Sequence, residues 1–198
     1  MAKTKSALQA VRPTAGADVL PMVMARNMAF FALGQARYRE ALMVALGAGL
    51  GLRASDLRRV TWADIVDPTG EPKVQVIVSE MKTGKKRVVW LMPWVRRVIA
   101  DAYRALAPVP FYEPVVPWTR QTIWERVKRL ADEIGYRGKI TPHSLRKAFC
   151  DFIYNLTRDP VLASRLTGHS DPRHLLRYIG RVPESEERIW EYVARAEI

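Results

Sequence analysis

Val74-Gln75-Val76-Ile77-Val78-Ser79, Lys82-Thr83-Gly84-Lys85 and Arg87-Val88-Val89-Trp90-Leu91 form the stretch on which the fold reading turns. The first run alternates and is rich in β-branched side chains, which sit well on a pleated surface. The second has the composition of a turn, and the third reads as a returning strand. An antiparallel hairpin with a cationic tip is therefore expected here. On either side the period changes from two to the helical 3.6.

Upstream, Tyr38-Arg39-Glu40-Ala41-Leu42-Met43-Val44-Ala45-Leu46 is the clearest part of a helical region over 22–50, which ends in Gly47-Ala48-Gly49-Leu50-Gly51. A short helix is expected from Ala54-Ser55, with Ser55 as its N-cap. Downstream, Pro93 opens a helix over Trp94–Leu106, as proline does at a first helical position. Thr119 caps another, whose Ile123, Val127, Leu130 and Ile134 share one face and which Gly135 closes. Thr141-Pro142 starts a helix to about Asn155, and shorter helices follow at 160–167, 172–179 and about 184–196. The fold class is thus mostly α with a small antiparallel β-sheet (α+β). Residues 1–20 show no period and read as a flexible arm, with 21–198 as one domain.

Thirty-two Lys and Arg against 20 Asp and Glu give a net charge of +12. So basic a chain points to a polyanionic partner, nucleic acid before an anionic membrane surface. The single cysteine, Cys150, excludes an internal disulfide and a zinc–thiolate cluster. Only three histidines occur, His143, His169 and His174, and no acidic cluster accompanies them, so neither metal nor cofactor is expected. No apolar run approaches the ~18 residues a membrane span needs, and the basic N-terminus lacks the apolar core of a secretory signal. A cytoplasmic protein is expected.

Five short motifs resemble one family. Gly51-Leu52-Arg53-Ala54-Ser55-Asp56-Leu57 resembles the box around the first catalytic arginine of tyrosine recombinases, with Asp where Glu is usual. Lys82-Thr83-Gly84 resembles that family's lysine-bearing hairpin turn. Thr141-Pro142-His143-Ser144-Leu145-Arg146 matches its His-x-x-Arg box, and Leu166-Thr167-Gly168-His169-Ser170 its Leu-x-Gly-His-Ser box. Tyr178 lies nine residues past His169, which itself lies 23 past Arg146. Each string alone is weak, but their order and spacing join them over about residues 38–195.

The resemblance implies a tyrosine recombinase catalytic domain, of the phage integrase type, that cleaves and rejoins double-stranded DNA through a 3′-phosphotyrosyl bond. Arg53 and Arg146 would clamp the scissile phosphate, since guanidinium stays charged and donates paired hydrogen bonds. His169 would donate to a non-bridging oxygen. Tyr178 would be the nucleophile, its phenolate favoured by the surrounding cations, with His143 taking its proton. Lys82 would protonate the leaving 5′ oxygen, with Lys85 and Lys86 as rivals. Lys85, Lys86, Arg87, Lys147 and Arg173 are expected to bind DNA; Lys147 stands where the family often has His or Thr. The expected assembly is a monomer or weak dimer when free and a homotetramer on paired DNA sites, coupled through the 184–196 helix. An origin in a bacterium, phage or mobile element follows from the resemblance.

With only about 35 residues before the pattern, no N-terminal core-binding domain is expected in this chain. It is then either an excised catalytic domain or resembles the short recombinases that work without one. Two other readings share the motifs: a type IB topoisomerase and a non-catalytic DNA-binding regulator on the same fold.

Overall fold

The computed structural model describes residues 17–81 and 84–181. Helix α2 (Tyr38–Gly49) is its axis, with every residue from Glu40 to Gly49 buried. A helix apolar on all sides must be surrounded, and α1 (Met22–Gly34), α5 (Pro93–Leu106) and α7 (Pro142–Thr157) all pack on it. Two glycines let them come close. A Cβ at Gly47 would lie 2.9 Å from Leu145 of α7, and one at Gly49 would lie 2.5 Å from Val95 of α5.

Between α2 and the hairpin lie α3 (Ala54–Leu57) and α4 (Trp62–Ile65). Ser55 falls inside α3 rather than capping it: Arg53 holds the N-cap position, and its carbonyl accepts from the Asp56 and Leu57 amides. Helix α4 was not legible as a separate element. It rests on a capping box between Thr61 and Asp64 and on the fully buried Trp62.

The hairpin pairs β1 (Gln75–Ser79) with β2 (Lys86–Trp90) in antiparallel register, Gln75 opposite Trp90 and Ser79 opposite Lys86. Val76, Val78 and Val89 face inward, while Ile77, Val88 and Trp90 face solvent. After α5, α6 (Arg120–Glu133) is capped by Thr119, whose side chain accepts from the Thr122 amide, and it buries Ile123, Val127 and Leu130. Thr141 and Ser144 make a capping box at the start of α7. Helices α8 (Pro160–Thr167) and α9 (Pro172–Tyr178) start alike, on Asp159-Pro160 and Asp171-Pro172, each aspartate accepting from first-turn amides. The mostly helical fold with one small antiparallel sheet is as the sequence predicts.

Part of the expected arm is packed. Leu20 is fully buried, Asp18 is bonded through backbone and side chain to Lys139, and the Ala17 carbonyl accepts from Lys147. The rest of the arm, Lys82 and the 184–196 helix lie outside the described residues. Among the described residues no helix is long and apolar enough to cross a membrane.

Candidate active site

Arg53, His143, Arg146, His169 and Tyr178 come from four separate parts of the chain and meet at one end of α7. The chain leaves α2 through Gly51, whose φ is +64° and whose hypothetical Cβ would lie 2.4 Å from the Phe149 ring. Only glycine fits there, and this tight exit delivers Arg53 to the start of α3. Arg146 lies on the first turns of α7, behind His143. Helix α8 ends at Gly168 in the left-handed conformation and turns the chain so that His169 faces α9, where Tyr178 is the last residue.

Arg146 is buried, and its Nη1 donates to the Gly51 carbonyl at 2.5 Å and its Nη2 to that of Thr167 at 3.2 Å. It thereby ties together the two loops that present Arg53 and His169. Arg53 is less covered, with a side chain 23% exposed, and its Nη1 donates to Glu80 at 2.8 Å. Glu80 itself is buried, 3.5 Å from Arg146 and 3.9 Å from Arg87. It is the residue that motif reading missed. The signal was in the alternation, because Val76, Val78 and Glu80 share the inward face of the hairpin, and an acid there needs a cationic partner.

The Tyr178 hydroxyl donates to the main-chain carbonyl of His143 at 3.3 Å, and its ring lies 5.4 Å from that of His169. Burial pushes its phenol pKa up, and Cys150 adds to the rise, while Arg146 and Arg53 pull it down. The expectation that the cations win is thus corrected: in the DNA-free protein desolvation outweighs them. Burial and the same two arginines lower His169 to about 4, and they lower His143 as well, so both imidazoles are neutral at physiological pH. The Nδ1 of His169 lies 2.8 Å from Thr167 Oγ1, which is also 2.8 Å from the Ala163 carbonyl. Thr167 has one hydroxyl hydrogen for the two. If it goes to Nδ1, the ring carries its own hydrogen on Nε2, the tautomer that can donate outward.

The expected DNA-binding residues divide. Lys85, Lys86 and Arg173 are exposed, Arg173 in an ion pair with Asp171 at 3.1 Å. Arg87 and Lys147 are not surface cations. The Arg87 side chain is 9% exposed, donates to the carbonyls of Leu50 and Leu166, and lies over the Phe149 ring. Burial and the neighbouring Arg146 lower its pKa to about 10. Lys147 is buried, donates to the Ala17 carbonyl at 2.7 Å and lies 5.5 Å from the centre of the Tyr178 ring. Inside the fold both donate to main-chain carbonyls, which satisfies their own buried donors. Beside His143, a groove of about 510 Å³ is lined by Ala54, Arg120, Gln121, Trp124, Thr141 and Pro142. Among the described residues no group of three His, Cys, Asp or Glu side chains could hold a metal ion.

Comparison with known proteins identifies the family and the fold. The model of the phage integrase family matches residues 21–184, and the chain belongs to that family. It is 30% identical over 163 residues to the tyrosine recombinase XerD of Pseudomonas putida, covering 78% of this chain and 52% of that protein. To XerD of Pseudomonas aeruginosa it is 28% identical, covering 81% and 51%. The chain therefore spans about half the length of the curated relatives it matches. The solved structure of XerA recombinase shares the fold with a TM-score of 0.67 at 19% identity, covering 94% of this chain and 66% of that one. XerH site-specific recombinase bound to its difH substrate superposes with a TM-score of 0.63 at 17% identity, covering 94% and 57%.

Proposed function

We propose that this chain is the catalytic portion of a site-specific DNA recombinase that works through a 3′-phosphotyrosyl intermediate. The observation that carries the reading is the convergence of Tyr178, His143 and His169 on the Arg53–Arg146 pair. A phosphodiester seated there meets fixed cations where charge develops during attack, and that is the largest source of stabilisation available without a metal. Tyr178 Oη attacks phosphorus, the P–O5′ bond breaks, and the DNA 3′ phosphate is left esterified to the tyrosine. The phenol proton passes to His143, and Lys82 supplies a proton to the leaving 5′ oxygen. Religation is the same sequence reversed by a 5′ hydroxyl, from the original strand or its partner.

The raised pKa of the phenol assigns a task to the substrate-bound state. The 3.3 Å bond to the His143 carbonyl is a weak one, easily exchanged when a phosphate enters. His143 is neutral and so able to accept the proton. The exposed Lys85, Lys86 and Arg173, together with Arg120 in the groove beside His143, supply phosphate contacts that fix position rather than sequence. The substrate is double-stranded DNA at paired sites, on which the protein acts as a homotetramer, free protein being monomer or weak dimer, in the cytoplasm at the nucleoid.

A nicked duplex that loses its short 5′ fragment on cleavage tests this. The native chain, in the presence of a chelator, should accumulate a covalent protein–DNA product, and Tyr178→Phe should form none while binding the duplex. No adduct with the native chain would point to a DNA-binding regulator. Adducts accompanied by plasmid relaxation without recombinants would point to a topoisomerase.

A further inference from the structure

Glu80 is the buried acid around which the arginines of the site are arranged, and nothing in the proposed chemistry uses it. Among the described residues three guanidinium groups approach it: Arg53 at 2.8 Å, Arg146 at 3.5 Å and Arg87 at 3.9 Å. They come from the start of α3, from α7 and from β2. The chain is built to admit the carboxylate. A Cβ at Gly168 would lie 2.5 Å from Glu80 Oε1, so the glycine of the Gly-His box leaves the room that Glu80 fills. The backbone at Glu80 is fixed as well: its N–H donates to the Lys85 carbonyl at 2.9 Å, and its carbonyl accepts from Gly84 at 2.8 Å. The neighbouring Met81 amide donates to Asp56 at 3.2 Å.

We infer that Glu80 is a positioning residue for the DNA cleavage proposed above: its carboxylate holds Arg53 and Arg146 at the separation that one phosphate needs. The physical need is plain. Arg53 and Arg146 carry like charges at close range, and a mobile pair would have to be gathered by the substrate at a cost in rate. A buried carboxylate between them removes the repulsion beforehand and fixes two side chains that otherwise have many rotamers. It sits below the guanidinium groups, 2% exposed, so it orders them from behind. Arg53 and Arg146, which it pairs with, are the cations that lower the Tyr178 phenol pKa, so partly neutralising them would reach the nucleophile indirectly. Among the described residues, the charged and titratable groups around it include Arg53, Arg87 and Arg146, with Asp56 beyond Arg53 and with Cys150 and His169 beside the other two.

The test uses single-turnover adduct formation on the nicked duplex across pH, with duplex affinity measured separately in the Tyr178→Phe background. Glu80→Ala should slow cleavage about tenfold or more while duplex affinity stays within about threefold, because ordering of the clamp is lost but the cations remain. Glu80→Gln keeps the shape and an acceptor for Arg53, so it should recover most of that rate. By removing one negative charge it should also move the alkaline midpoint of the rate profile down, since phenolate becomes easier to form. A merely structural role would lower the folded fraction in a thermal melt and leave that midpoint in place. Glu80→Ala cleaving within about twofold of the native rate, or an unmoved midpoint in Glu80→Gln, would overturn the assignment. Absence of any adduct with the native chain would instead overturn the recombinase reading on which this rests.

Discussion

Glu40 and Glu80 are both buried glutamates that gather three arginines, yet the two clusters are built in opposite senses. Around Glu40 the arginines Arg37, Arg126 and Arg129 come from the rim, with side chains 24, 31 and 53% exposed. Arg126 also stacks on Trp118 at 4.1 Å, and Arg37 and Arg129 share Glu133. The result is a fastener between the start of α2 and the outer face of α6. Around Glu80 two of the three described arginines are largely enclosed, with side chains 3% (Arg146) and 9% (Arg87) exposed, and bond to the carbonyls of Leu50, Gly51, Leu166 and Thr167. Only Arg53 keeps a partly open side. Similar ions thus serve one purpose when the cations face water and another when the backbone grips them. A guanidinium with no freedom left is costly to build and ready to meet a charge.

That contrast can be broken first at Arg146. Arg146→Ala removes a buried cation, leaves two carbonyls without this donor, and takes one arm from the proposed clamp. Adduct formation on the nicked duplex should fall by about 10³, and chemical denaturation should show a loss of about 3–5 kcal/mol. A drop in rate no larger than the drop in folded fraction would make Arg146 a fastener like Arg126. Glu40→Ala is the matching change in the other cluster. There the arginines can turn to water, so about 2–3 kcal/mol of stability should go, while the folded fraction cleaves at the native rate. A rate loss beyond the unfolded fraction would join the two clusters functionally.

The next effect is one of pH. His169 is held near 4 when folded and returns to about 6.5 on unfolding. The unfolded chain therefore binds the extra proton between those values, and stability falls as pH drops from about 6.5 towards 4. Because the ring is partly exposed, the loss by pH 5 should be about 1 kcal/mol after allowance for solvent screening. Urea midpoints at pH 7 and 5 measure it, and His169→Asn should lose that part of the slope. An equal slope in the variant would assign the acid sensitivity elsewhere. The smallest effect belongs to the rim: Arg129→Ala should cost less than about 1 kcal/mol and leave cleavage unchanged.

Much of this was legible because it is local. The hairpin follows from alternation, and the starts of α6 and α7 from Thr119 and Thr141-Pro142. The arginine, histidine and tyrosine of the site follow from short strings whose spacing places them on consecutive elements. What escaped depends on which face is buried and on what approaches it from far along the chain. Arg87 reads as one more charge at a cationic tip, yet it pairs across from Val78, so register alone turns it inward. Glu80 follows Val76 and Val78 on that same face. Lys147 looks like a free cation until residues 17–20 are seen to pack beside α7. The rise in the phenol pKa escaped for a similar reason, since sequence shows which charges are present but not how much water they lose.

Mass spectrometry of the proteolysed adduct from the nicked duplex tests the central claim most directly. The account predicts a nucleotide phosphoryl group esterified to the peptide that contains Tyr178, through the DNA 3′ phosphate and formed in the presence of a chelator. The same mass increment on a peptide containing Tyr136 or Tyr154, or an adduct through a 5′ phosphate, would contradict it.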